Sequence, residues 1–288
     1  MLKDLDTVFL KPKRSLNLIN MFIRAPWTLR IGIVIVVVFV TFSLIGIFYT
    51  PYNPILSVGP NYAPPSTIFV MGTTNIGQDI FSQWLIGARY TLIEGSLTAL
   101  FATIFGVSVG TLSGFFRFLD GPLMRLTDLV LALPSLPLMI VISSFIKLNI
   151  YEIALLVSIL SWTFTARVVR SRMISLREEP FIETAIMSGV PKSKILFVDS
   201  VRHLIPLIIS YSLISINTGI LTIASLEFIG AYTSPFGWGT MLSQAYNANA
   251  LLSNAWWWLI IPGLSIAVLL TGFALISYTV ENMYKSKK

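Results

Sequence analysis

Six long runs of apolar residues, broken by very few charges, limit what this chain of 288 residues can fold into. A helix needs about 20 apolar residues to cross the hydrocarbon core of a bilayer, and each run is near that length. We therefore predict an all-α, polytopic membrane helical bundle with six transmembrane helices. The predicted spans are Ile31–Phe48, Thr91–Phe115, Leu126–Ile146, Ile153–Val169, Leu204–Leu226 and Trp256–Tyr278.

Composition agrees with a membrane protein. Hydrophobic residues make up 55% of the chain and charged residues 11%, and the mean hydropathy is +0.80. Soluble domains carry about 25% charged residues. The first run follows basic residues, as a signal peptide would, but it is too long and lacks a small-residue cleavage site. We expect it to be retained, in a multi-pass protein of the plasma membrane.

The distribution of lysine and arginine predicts the orientation of the spans. With the N-terminus inside, 18 of the 20 basic residues fall on the cytoplasmic side, and only Arg89 and Lys147 lie outside. The positive-inside rule therefore predicts that both termini are cytoplasmic. The net charge of +7 is assigned to topology and to anionic lipid head groups, without a role in nucleic-acid binding.

This orientation divides the chain into segments. Residues 31–280 form the transmembrane domain, between a cytoplasmic N-terminal segment and a cytoplasmic tail. Extracellular loops and a cytoplasmic coupling loop interrupt the domain. The ranges are 1–30 for the N-terminal segment, 281–288 for the tail, 49–90 and 227–255 for the extracellular loops, and 170–203 for the coupling loop.

A short helix is predicted at Pro180–Gly189, in the coupling loop. Pro180 suits a first helical position, Gly189 suits the left-handed residue that ends a helix, and Pro191 prevents resumption. Such a helix is only about 15 Å long, at roughly 1.5 Å per residue, and cannot cross a bilayer. Its position between two spans suggests that it receives mechanical work from a cytoplasmic partner.

Glycines recur every four residues in the second span, at Gly106, Gly110 and Gly114. All three lie on one helix face, where a neighbouring helix can approach closely. The pattern predicts a helix-packing seam. A seam that slides between two states is the functional alternative.

Four residues are candidates for a transport path or its mouth. Glu94 and Glu227 are ionisable groups near membrane depth, where burial is expensive, although both could reach the interface. Pro134 breaks backbone hydrogen bonds that must then be buried in protein or face water, so a kink beside a path and an ordinary packed kink both stay open. Trp238 lies in the second extracellular loop, which could line a mouth, meet an external partner or rest on lipid head groups.

Several kinds of chemistry are not expected in this chain. It has no cysteine and one histidine, His203, and so no predicted metal site. The G-x-x-x-x-G-K-[ST] phosphate loop is missing, and no paired carboxylates are placed for hydrolysis. We expect neither enzymatic activity nor a bound cofactor.

A series of short motifs resembles one family in both order and spacing. The similarity extends from about Met71 to Val280, and its central part is a cytoplasmic loop of the family form E-A-A, three residues, G, about nine residues, then I/L-x-L-P. The motifs are Gly72-Thr73, Gly77-Gln78-Asp79, Gly87-Ala88-Arg89, Leu133-Pro134-Ser135, Glu183-Thr184-Ala185 with Gly189, Leu204-Ile205-Pro206, Phe228-Ile229-Gly230, Trp238-Gly239-Thr240 and Pro262-Gly263-Leu264. The chain resembles the C-type permease subunit of binding-protein-dependent ABC importers of the dipeptide, oligopeptide and nickel group.

The resemblance implies a type I ABC importer permease architecture and a set of partners. These are a second related permease, two cytoplasmic ATPase subunits that hold the ATP and magnesium, and an extracellular solute-binding protein. It also implies that the helix at Pro180–Gly189 couples this chain to an ATPase subunit. Phe181, Ile182, Ala185 and Ile186 would form its apolar face, and Glu183 would meet a basic residue.

Alternatives remain open at this point for both the cargo and the class of membrane protein. The resembled group imports peptides, nickel or oligosaccharides, and we expect a peptide-like or oligosaccharide solute. An ion-coupled secondary carrier would show inverted repeats and buried coupling residues. A non-transporting membrane scaffold would not need the helix at Pro180–Gly189.

Overall fold

The computed structural model describes residues 26–285, which are helical apart from their connecting segments. The N-terminal residues 1–25 and the last three residues of the predicted tail lie outside the described residues. The helices are α1 Trp27–Phe48, α2 Ile80–Phe115, α3 Arg117–Ala132, α4 Ser135–Phe145, α5 Ile150–Arg177, α6 Pro180–Met187, α7 Val201–Ile229, α8 Trp238–Asn247 and α9 Trp257–Lys285. Two short helical segments, Lys192–Lys194 and the π-helical Ile195–Ser200, lead into α7.

Five of the described helices, α1, α2, α5, α7 and α9, are long and apolar enough to cross a membrane. The predicted span Leu126–Ile146 is not one continuous helix, since it is interrupted at Pro134, where proline was expected to break the backbone hydrogen bonds. It is replaced by the pair α3 and α4, which are bent by 77° at the break and make a sixth span if counted together. The break falls at Leu133 and Pro134 because proline cannot donate to the helix and forces the preceding residue into an extended conformation.

Most spans extend beyond their predicted ends. Helix α2 has 36 residues, or about 54 Å at roughly 1.5 Å per residue, and so reaches well outside a ~30 Å hydrocarbon core. It begins early because the side chain of Asp79 accepts a hydrogen bond from the backbone N–H of Ser82 at 2.8 Å. Asn149 and Glu152 form a capping box at the start of α5. Such capping residues allow helix in polar sequence outside the apolar runs.

The predicted loops are correspondingly shorter. Helix α2 takes the last part of segment 49–90, and α5 continues to Arg177 inside segment 170–203. Segment 227–255 contains the end of α7 and the whole of α8. The part of segment 49–90 before α2 has no helix and only one isolated β-bridge, between Thr73 and Asp79.

Helix α2 is the centre of the bundle and packs against α1, α5 and α7, while α9 packs against α1 and α7. Its two ends lie in different hydrophobic clusters. Near its start, Trp84 joins an aromatic-rich cluster that includes α8 and the start of α9. Near its end, Phe115 joins a second cluster with α5, α6 and the start of α7. The two candidate functional regions therefore lie at opposite ends of one long helix.

Candidate functional site

Helix α6 forms at the predicted place, because its ends are determined locally. Pro180 is in the first turn, and the hydroxyl of Thr184 donates to the Pro180 carbonyl at 2.8 Å. At the other end, the Gly189 N–H donates to the Ile186 carbonyl and the Val190 N–H to the Ala185 carbonyl, both at 3.1 Å. This pair of bonds is a Schellman motif. Gly189 has the left-handed φ of +75° that the motif requires, as predicted, although the helix itself ends at Met187.

The two faces of α6 differ. The side chain of Ile182 is completely buried in a cluster with residues of α5 and α7, and Ala185 packs against the same cluster. Phe181 and Ile186 are exposed, and Met187 is 75% exposed. The predicted apolar face therefore divides: Ile182 and Ala185 fasten α6 to its own bundle, while Phe181 and Ile186 stay exposed, with the Phe181 ring 4.8 Å from the His203 ring of α7.

Met187 was missed by the sequence analysis. It stands one helical turn after Glu183, and the structure exposes both residues. The i, i+4 spacing of the two positions was the available signal, since such pairs share a helix face. Pro180 and Thr184 of α6 are exposed, and its other exposed residues are Phe181, Glu183, Ile186 and Met187. We call these four residues the α6 outer face.

The glycine seam lies at a close helix contact, as predicted. A Cβ atom on Gly106 would be 2.6 Å from Thr165 Cβ, and one on Gly110 would be 2.6 Å from the Ala166 carbonyl oxygen. A Cβ atom on Gly114 would be 2.6 Å from Met173 Cβ. Since all three contacts are to α5, the absence of side chains is what allows α2 and α5 to touch. Met173 also belongs to the cluster that buries Ile182, so the seam and α6 are joined through one core.

Glu94, in the first half of α2, and Glu227, near the end of α7, are both buried and hydrogen-bonded. The Tyr232 hydroxyl donates to Glu94 Oε1 at 3.1 Å. The Ser234 hydroxyl donates to Glu227 Oε1, and the Gly239 N–H donates to Glu227 Oε2 at 3.1 Å. Burial and the nearby Glu94 carboxylate raise the pKa of the Tyr232 phenol, which keeps it a proton donor.

The hydrogen-bond partners of these two carboxylates indicate a structural role. Both side chains are 1% exposed, and Glu227 accepts the hydrogen bond of a backbone N–H in the first turn of α8. A carboxylate is favourable there because the first N–H groups of a helix have no partner within the helix. The two acids thus hold the segment between α7 and α8 in place and do not line an open mouth.

Trp238 is also internal. It is completely buried and stacks on Trp84 with ring centroids 5.8 Å apart, while Phe39 meets it edge-on at 5.4 Å. Its indole N–H donates to the Trp84 carbonyl at 3.2 Å. The prediction that Trp238 lines a mouth or rests on lipid is therefore wrong for this structure. It anchors α8 to α1 and α2.

Pro134 is the one predicted path residue that the structure exposes. Residues 131–137, around the bend between α3 and α4, are all exposed in the isolated chain, including Leu131, Leu133 and Leu136. Two Arg–Asp pairs, Arg170 with Asp120 and Arg167 with Asp128, hold α3 against α5. Within residues 26–285, no group of three or more histidine or acidic side chains is placed to hold a metal ion.

Comparison with known proteins gives one consistent answer. Residues 102–285 match the family described as "Binding-protein-dependent transport system inner membrane component". A dipeptide transport system permease protein of Alkalihalophilus pseudofirmus is 31% identical over 258 residues, covering 86% of this chain and 83% of that protein. Another from Haemophilus influenzae is 28% identical over 257 residues, covering 85% and 86%. A putative peptide transport system permease protein of Brucella suis is 28% identical over 246 residues, covering 83% and 81%.

Proposed function

The chain belongs to the family of binding-protein-dependent transport system inner membrane components, as a C-type permease of the peptide ABC importer group, and on this premise we propose how it works. It is a permease component and not an enzyme, since ATP hydrolysis belongs to separate subunits. It forms half of a translocation path for peptides that an external binding protein delivers. A cytoplasmic ATPase subunit drives it through α6.

The α6 outer face is the observation that carries this proposal. Met187 is 75% exposed and Ile186 is 46% exposed, beside Phe181, on a helix of only eight residues. Exposed apolar residues that cluster on one surface are typical of a protein interface. Because Ile182, in the same short helix, is completely buried in the bundle, a partner that moves the outer face also moves the core behind it.

The rigidity of α6 and of the core behind it favours the transmission of movement through this helix. The Schellman motif holds its end, and the cluster around Ile182 includes Met173, which touches Gly114 in the seam between α2 and α5. Packed cores deform little, so a displacement of α6 is passed to the ends of these long helices. ATP binding must favour one arrangement of the assembly by several kcal/mol for a near-complete switch.

The proposed assembly has a second related permease, two ATPase subunits with their ATP and magnesium, and a solute-binding protein. The binding protein docks at the extracellular side, on segments 49–90 and 227–255. Both termini are cytoplasmic, in keeping with the distribution of basic residues. Peptide is proposed as the cargo in preference to nickel or oligosaccharide because the relatives described above are named dipeptide or peptide permeases.

Uptake by the reconstituted assembly tests the proposal. Proteoliposomes that contain both permeases and the ATPase subunits, with the binding protein supplied, are expected to accumulate labelled dialanine only with ATP. Nickel and maltotriose serve as competing cargoes. If dialanine is not taken up while one of these is, the proposed cargo is wrong.

A double variant, Ile186→Gln with Met187→Gln, tests the coupling. Glutamine keeps helix propensity and size but removes the apolar contact. Burying one such side chain contributes about 1.5–3 kcal/mol, so co-purification with the ATPase and uptake should both fall about tenfold or more. Ser193→Gln is the matched control, since it places the same side chain in the same segment outside α6. Unchanged uptake and co-purification in the double variant would contradict the coupling role.

A further inference from the structure

A groove of about 390 Å³ lies between α7 and α9, away from both regions described above. Its walls include Asn217, Thr218 and Thr222 from α7 and Thr271 from α9. Thr271 is the middle residue of α9, and Asn217 is two residues from the middle of α7. At roughly 1.5 Å per residue, Asn217 is about 3 Å from its helix midpoint, which places the groove near the centre of the bilayer.

The polar groups of this groove are unusual for a lipid-facing surface. Helix α1 shows what such a surface looks like, since its exposed residues are mainly apolar, among them Val34, Val37 and Leu44. Amide and hydroxyl groups at membrane depth are normally turned towards protein or water. In the groove, Thr218 and Thr271 are exposed, and Asn217 lines the same groove beside Thr218 in sequence.

Asn217 has an unused hydrogen-bonding atom. Its Oδ1 is buried and has no hydrogen-bond partner in the structure. Leaving a buried acceptor without a partner costs about 1–3 kcal/mol, so a ligand that donates to it would be favoured. The terminal torsion of asparagine is soft, so a small rotation turns the amide towards the groove.

Two threonine hydroxyls of the groove can act only as acceptors towards a ligand. The hydroxyl of Thr218 donates to the Ile214 carbonyl at 3.1 Å, and that of Thr271 donates to the Ala267 carbonyl at 2.8 Å. Each hydroxyl proton is thereby used within its own helix, and the oxygen lone pairs are left for a ligand. The ligand that complements this wall is a donor of N–H groups, without a charge that would require a counter-ion.

We propose that this groove is the part of the translocation path that contacts cargo in this chain, and that Asn217 binds the main-chain amides of a passing peptide. The inference rests on the proposed function. It differs from the path predicted by sequence, because Glu94, Glu227 and Trp238 are buried and occupied by structural contacts. Since no charged side chain lines the groove, it contacts the backbone common to all peptides.

Cysteine labelling tests whether the groove meets water. The chain contains no cysteine, so single variants can be made without further change. In the full assembly in proteoliposomes, Thr222→Cys and Thr271→Cys are expected to react with 2-aminoethyl methanethiosulfonate, more slowly when dialanine is being transported. Thr41→Cys in α1 is the control and should not react, because Thr41 is exposed, has the same hydroxyl-to-carbonyl bond within its helix and lies outside the groove. A groove covered by lipid or by the second permease would leave Thr222→Cys and Thr271→Cys unlabelled in every nucleotide state, which would overturn the proposal.

Transport by Asn217→Leu tests the contact itself. Uptake of dialanine is expected to fall about fivefold, the equivalent of one net hydrogen bond, while ATPase activity stimulated by the binding protein is kept. Thr41→Val should transport like the unchanged chain. Full uptake by Asn217→Leu would overturn the role of Asn217. If instead the unchanged assembly fails to take up any peptide, the proposed function is wrong. The labelling experiment reports separately on whether the groove meets water.

Discussion

The carboxylate of Glu227, at the end of α7, accepts a hydrogen bond from the backbone N–H of Gly239 in the first turn of α8, at 3.1 Å. The Ser234 hydroxyl, from the connecting segment, donates to the other carboxylate oxygen. Glu227 therefore joins three consecutive pieces of the chain. The close approach of the backbone to this carboxylate explains why positions 237 and 239 are both glycine.

Gly239→Ala is expected to destabilise the protein by about 1–3 kcal/mol, the usual effect of overpacking a core. An added Cβ would be 2.4 Å from the Ala224 carbonyl oxygen and 2.6 Å from Glu227 Oε2, so the helix must shift. The thermal midpoint of the purified chain in detergent measures the change. Gly263→Ala in α9 is the control, because its Cβ would have only an ordinary contact, 3.6 Å from Leu242. Equal midpoints for the two variants would contradict the close packing of Gly239 against Ala224 and Glu227.

Local sequence was enough to predict α6, but it could not predict that Trp238 is buried. Every determinant of α6 lies within a few residues: a proline at its start, a left-handed glycine after it and the Ala185–Val190 pair that closes it. Trp238 is buried by Trp84, which is distant in sequence, and by Phe39 from α1. No periodicity in segment 227–255 reveals that contact. Aromatic residues in an external loop are equally compatible with lipid, a mouth or a core.

The same distinction explains the result for the spans. Pro134 predicts that a helix will be broken, because the effect is local. The angle of the break, 77°, depends on how α3 and α4 pack against α5 and α7. The glycine seam was predicted from spacing alone, but its partner helix, α5, was not. Asn217 was missed because one asparagine in an apolar run carries no spacing signal, and its importance depends on the position of α9.

Gly110→Ala tests the seam between α2 and α5. Its Cβ would be 2.6 Å from the Ala166 carbonyl oxygen and 2.7 Å from Val169 Cβ, so we expect a loss of about 1–3 kcal/mol and a lower thermal midpoint. Gly121→Ala in α3 is the matched control, since no atom lies within 4 Å of its added Cβ. Alanine there should be neutral or stabilising by up to about 1 kcal/mol, because it favours helix over glycine. The two variants are thus expected to differ in sign, and a stabilised Gly110→Ala would exclude a close-packed seam.

Gly189 can be tested by a pair of substitutions at the same position. Its φ of +75° is strained for a β-branched residue but accessible to asparagine, and no atom lies within 4 Å of an added Cβ. Gly189→Val is expected to cost roughly 1–2 kcal/mol locally and to disturb the end of α6. ATP-dependent uptake of dialanine per ATP hydrolysed should fall with Gly189→Val and stay near normal with Gly189→Asn. If both variants couple equally well, the left-handed end of α6 has no part in transmission.

The orientation of the chain can be measured with single cysteines, because the chain has none of its own. Ser57 precedes α2 on the predicted external side, and Ser193 follows α6 on the predicted cytoplasmic side; both are exposed. In intact cells, a membrane-impermeant maleimide is expected to label Ser57→Cys, and to label Ser193→Cys only after the membrane is opened. The physical reason is the charge asymmetry, since the region from Arg167 to Arg202 carries seven basic residues and segment 49–79 carries none. Reversed labelling would place α6 outside the cell, where no ATPase subunit could reach it, and would remove the basis for its coupling role.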